Sequence, residues 1–109
     1  MFEQLSRDDR MLLLRFVCAF AWTDLEIRAG ERRFVERLMT RLQLSAEDRA
    51  EVEGYLHVAP APGSTNPMLV PREHRLLFID AVRALIYADG SVDAEERERF
   101  ERLQAALSD

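Results

Sequence analysis

The sequence predicts an all-α fold: a single-domain helical bundle made of two helix-turn-helix halves related by a pseudo-twofold. Three observations carry this. The chain contains a diverged duplication at an offset of sixty-five residues: Arg10 to Leu42, set above Arg75 to Leu107 without a gap, matches at twelve of thirty-three positions. Apolar residues in both copies recur at helical spacing. All four prolines lie between Val58 and Pro71, so helical halves spanning about 6–57 and 72–107 flank one irregular loop, 58–71.

Ser6 followed by Asp9 forms a capping pair that opens the first helix, which runs to about Thr23. Leu12, Leu13, Phe16, Val17, Phe20 and Ala21 follow its apolar face, and Cys18 and Trp22 widen it. A helix apolar around most of its circumference belongs at the centre of a core. A second helix spans about Arg28 to Leu42, with Phe34, Val35, Leu38 and Leu42 inward. Ser45 and Asp48 cap a third, reaching about Leu56 with Val52, Tyr55 and Leu56 inward. Beyond the prolines, Arg72 to Ala88 repeats the first helix with Leu76, Leu77, Ile79, Val82, Leu85 and Ile86 as its core face. Asp93 to Leu107 repeats the second, with Phe100, Leu103 and Leu107 inward and Asp93 and Glu96 as its start signal. Glu95/Arg99 and Glu98/Arg102 are i,i+4 pairs of a solvated face. The two most apolar helices are expected to pack together, placing Arg15 and Asp80, equivalent positions in the two copies, as an ion pair.

The length of 109 residues fits one domain, large enough to bury roughly two-thirds of its unfolded surface without a metal or disulfide staple. A hydrophobic fraction of 48% with 32% charged residues is that of a water-soluble globular protein. The net charge of −5 sets up no field favouring nucleic acid or anionic lipid. All fifteen basic residues are Arg, a bias we read as compositional. Cys18 is the only cysteine, so no intramolecular disulfide can form. The first residues carry acids where a secretory leader carries bases. The run Met11 to Trp22 is interrupted by Arg15 and is shorter than the ~20 residues that span a bilayer. A cytoplasmic location and no transmembrane segment are the expectations.

Chemistry concentrates in the two acidic turns. Asp89-Gly90 ends one helix and Asp93 begins the next; Gly90 suits a left-handed stop, while Asp93 and Glu96 suit a capping box. The same residues match the second half of an EF-hand loop, with Gly at position six, an aliphatic at eight and Glu at twelve. The first half fails, because loop positions one and three fall on Leu85 and Tyr87. A lesser divalent-cation site using Asp89, Asp93 and Glu96, or pooling Asp24 and Glu31 from the first copy, is the alternative to capping. In that copy Leu25 replaces the glycine and Arg28 the capping acid, while Asp24 and Glu31 persist. Their persistence points to a second role or to shared ancestry.

An apolar helix ending in Tyr87-Ala-Asp-Gly90, followed by Ser91-Val-Asp-x-Glu-Glu-Arg97, resembles the tellurite-resistance TerB-like family, which includes the N-terminal region of DjlA-type co-chaperones. The resemblance covers nearly the whole chain, with the first motif, Thr23 to Arg32, departing by its missing Asp-Gly step. It implies an all-helical, non-catalytic bacterial module of stress response or metal resistance that acts through protein partners near the membrane. It also implies suspected cation or partner binding at Asp24, Glu31, Asp89, Asp93 and Glu96.

The residues point away from an enzyme. His57 and His74 flank the proline-rich loop, and one cysteine in an apolar helix has no base at a readable spacing. A His57/His74 metal site is a lesser alternative to two surface histidines. DNA binding would need a basic recognition helix. The only candidate carries Arg28, Arg32, Arg33, Arg37 and Arg41, interleaved with Glu31 and Glu36. The expected mode is protein binding, without nucleic acid and with no cofactor beyond the candidate cation. Met68, Leu69 and Val70 in the loop serve either as the contact or as anchors to the core. Neither the oligomeric state nor the partner's identity is written in the sequence.

Overall fold

The computed structural model describes residues 5–22, 27–61, 65–88 and 94–107. Among them are five α-helices and no strand: α1 (Arg7–Ala21), α2 (Ala29–Arg41), α3 (Ala46–Tyr55), α4 (Arg75–Ile86) and α5 (Ala94–Leu107). Two one-turn 3-10 helices, Pro67–Leu69 and Arg72–His74, lead into α4. None of the described helices is long and apolar enough to cross a membrane.

α1 and α4 make the most extensive interhelical contact; α2 and α3 pack on α1, and α5 packs on α4. At the crossing, Phe16 and Phe78 meet edge to face, with ring centroids 5.7 Å apart and planes at 77°. Both rings are fully buried, together with Leu13, Leu14, Val17, Cys18, Val82 and Leu85. α1 is central because its apolar residues cover nearly every side: Met11 through Leu14 are buried in succession.

The α4 register departs from expectation. Leu76, expected inside, is 69% exposed, and Phe78, left out of the expected face, is completely buried. α4 is apolar on more than one side, and Phe78, the bulkiest apolar side chain in the helix, takes the place facing α1. Met39 of α2 is likewise buried beside the expected Val35, Leu38 and Leu42. The Pro-rich loop is tied down by Pro60 and Val70, both buried, the latter in the hydrophobic core.

Helix ends follow their capping chemistry. The Ser6 hydroxyl accepts from the Asp9 amide, and the Ser45 hydroxyl from the Asp48 amide, each at 3.2 Å. α2 closes in a Schellman pattern: Leu44 N donates to Met39 O at 3.4 Å and Gln43 N to Thr40 O at 3.1 Å. Gln43 adopts φ 55°, the left-handed conformation usually given to glycine, and Leu44 packs its side chain on the core. Arg10 Nη1 donates to the carbonyl of Leu42 at 3.3 Å, satisfying one of the acceptors a helix end leaves open. Trp22 Nε1 donates to the carbonyl of Tyr55 at 2.7 Å, joining the end of α1 to the end of α3.

The other end of that pair is joined by a fork. Arg7 places Nη2 at 2.6 Å from Asp48 Oδ1 and Nε at 2.9 Å from Oδ2. Asp48 is therefore a cap residue whose carboxylate is turned across to α1.

His74 Nε2 lies 3.6 Å from Asp9 Oδ2, joining the start of α1 to the 3-10 turn that leads into α4. Further along the helices the expected Arg15–Asp80 pair does not form. Asp80 pairs with Arg83 on its own helix at 3.2 Å, and Arg15 lies beside the Tyr55 hydroxyl. Packing carries the two side chains apart, Arg15 towards α3 and Asp80 towards α2. On α5, Glu98 and Arg102 pair at 3.0 Å as the spacing suggests.

Truncating the crossing separates the two α4 residues. Phe78→Ala is expected to cost about 3–5 kcal/mol and Leu76→Ala no more than about 0.5 kcal/mol, measured by urea unfolding; equal losses would place both on the same side of the core boundary.

The fork has a pH signature. Hydrogen bonding from Arg7, opposed by burial and aided by the attraction of its charge, holds the Asp48 carboxyl below its usual range. A depressed folded value means stability that is complete above the unfolded value of about 3.9 and is lost as pH falls towards the folded one. The gap in urea midpoint between wild type and Asp48→Asn should be constant above about pH 5 and shrink below about pH 4; a gap independent of pH would assign the pair no role in stability.

Candidate functional site

The two acidic turns are described from the side of their glutamates. Asp24, Asp89 and Asp93 lie outside the described residues. Glu31 is the third residue of α2, and its Oε1 accepts the backbone N–H of Arg28 at 2.9 Å. This is the glutamate half of a capping box; an arginine side chain has no acceptor with which to supply the other half. Glu96 is the third residue of α5, the equivalent place, and is buried like Glu31. The bond to Arg28 gives a physical reason for the persistence of Glu31 after its turn had lost both the glycine and the capping acid. The carboxylate holds an amide that the helix itself cannot satisfy. Among the described residues no three His, Cys, Asp or Glu side chains are gathered as metal ligands.

The histidines stand apart in role. His57 is exposed, and His74 is buried against Asp9. Cys18 is wholly enclosed, and burial pushes its thiol up to about 12. Since the thiolate is the nucleophile, Cys18 is silent at neutral pH.

The proline-rich segment divides its three apolar residues. Val70 is 2% exposed and anchors the loop, whereas Met68 is 76% and Leu69 53% exposed. The turn that carries them is well formed. Asn66 Oδ1 accepts the Met68 amide at 2.9 Å, Pro67 opens the 3-10 helix, and Leu69 N and Val70 N donate back to Asn66 O and Pro67 O. The turn also packs on α5.

A second surface was not foreseen from the sequence. A groove of about 400 Å³ opens between α2 and α4. Phe34 and Leu38 supply one wall, and Leu77, Ala81 and Ala84 the other. Arg37 and Arg41 stand on the α2 rim and Asp80 on the α4 rim. The signal was the excess of apolar residues on α4, where Leu76 and Leu77 adjoin and Ala81 and Ala84 follow. Small side chains there leave a furrow that larger ones would fill.

No protein-family model, curated protein or solved structure matches the chain.

The capping role of Glu31 predicts a particular pattern of loss. Glu31→Ala should cost about 1 kcal/mol, and Glu31→Gln less, because an amide oxygen still accepts. Both losses should be the same in urea melts with or without millimolar calcium, magnesium, manganese or zinc. A loss seen only with metal present would make Glu31 a ligand.

Proposed function

We propose that this protein is a non-catalytic interaction module of the bacterial stress-response type implied by its TerB-like resemblance, working by capture of a protein partner. One observation carries the reading. Met68 and Leu69 project from a preorganised 3-10 turn whose neighbour Val70 is sunk in the core. Scattered exposed apolar residues are ordinary. Two adjacent ones on a turn held by its own hydrogen bonds and a buried anchor reach a partner with little further ordering. The divalent-cation alternative draws no comparable support, since Glu31 is engaged by a backbone amide.

The test is partner capture by immobilised protein from a bacterial lysate. Met68→Ser combined with Leu69→Ser should reduce the captured partner several-fold while leaving stability within about 0.5 kcal/mol, since both side chains are exposed. Capture undiminished by the double substitution overturns the role of the turn.

A further inference from the structure

We propose that the groove between α2 and α4 docks an acidic amphipathic helix of another protein. Three observations combine. The groove has an apolar lining, with Phe34, Leu77 and Ala84 partly or fully exposed along it and Leu38 buried beneath them. A volume of about 400 Å³ takes two or three apolar side chains of a helix laid along it. Beside it on α4, Leu76 stands 69% exposed one turn before Asp80, extending the apolar surface beyond the groove itself.

The rim specifies the charge of the occupant. Arg33, Arg37 and Arg41 recur at every fourth position of α2, a row about 12 Å long at the helical rise. Arg49 extends it, with Nη2 donating to Thr40 Oγ1 at 3.2 Å. Arg33 and Arg37 also border a shallower furrow with Glu36 and Thr40. No carboxylate of the described residues pairs with Arg33 or Arg37, while Asp80 is taken by Arg83. In a chain of net charge −5, this face is locally cationic.

The length of the row selects the class of occupant. A small apolar acid offers one carboxylate, which engages one guanidinium and leaves the rest of the row unused. A helix carrying Asp or Glu at i, i+4 and i+8 beside an apolar stripe matches the spacing of the arginines and the floor together. Glu36 then acts against misplaced partners by repelling acids set elsewhere on the helix.

The experiment is a selection from a displayed library of randomised fifteen-residue helical peptides against the full chain, followed by affinity measurement on the selected peptides. Expected are sequences with an apolar i, i+4, i+7 stripe flanked by Asp or Glu, whose affinity falls with salt. Arg37→Glu and Ala84→Asp, both at exposed positions, should each weaken them at least tenfold, with circular dichroism and thermal melts confirming the fold. If Ala84→Asp unfolds, Arg33→Glu takes its place. Selected peptides without acidic enrichment, or binding unchanged by these substitutions, overturn the proposal. So does an empty selection, and saturable binding of decanoate would then reassign the groove to a small acid. The groove is separate from the Pro67–Leu69 turn: Met68→Ser with Leu69→Ser should leave peptide affinity unchanged, so either surface can fail without the other.

Discussion

The packing of α1 on α4 is the contact from which the rest of the bundle hangs. α2 and α3 reach the core by packing on α1, and α5 by packing on α4. The edge-to-face geometry of Phe16 and Phe78 contributes about 1 kcal/mol beyond burial, less than the ~2–3 kcal/mol each ring gains by leaving water. Burial therefore holds the crossing, and ring geometry sets its orientation. The choice of Phe78 for this place decides the α4 register, and with it the exposure of Leu76 and the shape of the furrow beside α2.

Around this centre, the polar groups act at ends. Ser6, Ser45 and Glu31 hold amides at helix starts; Arg10 and the left-handed Gln43 serve the last turn of α2. Trp22 and the Arg7–Asp48 fork tie opposite ends of the α1/α3 pair. These bonds are individually modest. They specify where each helix begins and stops, while the apolar faces specify what it packs against. Glu31, the third residue of α2, accepts the Arg28 amide, one of the donors a helix start leaves open, and Glu96 is the buried third residue of α5.

Helix existence, order and approximate limits were legible because apolar period, capping pairs and confined prolines are local signals. Ser6, Ser45 and Val35 behave as their local sequence says. The face of α4 was less legible. Apolar residues cover more than one side of it, and periodicity cannot choose between Leu76 and Phe78 when the deciding factor is the volume left opposite Phe16. The Arg15–Asp80 pairing failed for a related reason: equivalence in sequence fixes no distance, and packing carries Arg15 towards Tyr55 of α3 and Asp80 towards the α2–α4 groove. Of the candidate site, Met68, Leu69 and Val70 were readable as a group but not as two contacts and one anchor. The α2–α4 groove left only the excess of apolar residues on α4 as a trace, since its two walls lie about forty residues apart in the chain and only tertiary packing brings them together.

The single cysteine gives the molecule a built-in clock. Cys18 lies in the last turn of α1 with no exposed surface and a thiol held protonated. A reagent that needs the thiolate reaches it only when the packing around the last turn of α1 comes apart, so labelling reports the opening of that part of the core. Because no second thiol exists in the chain, each labelled molecule records one such opening, and the signal needs no engineered probe.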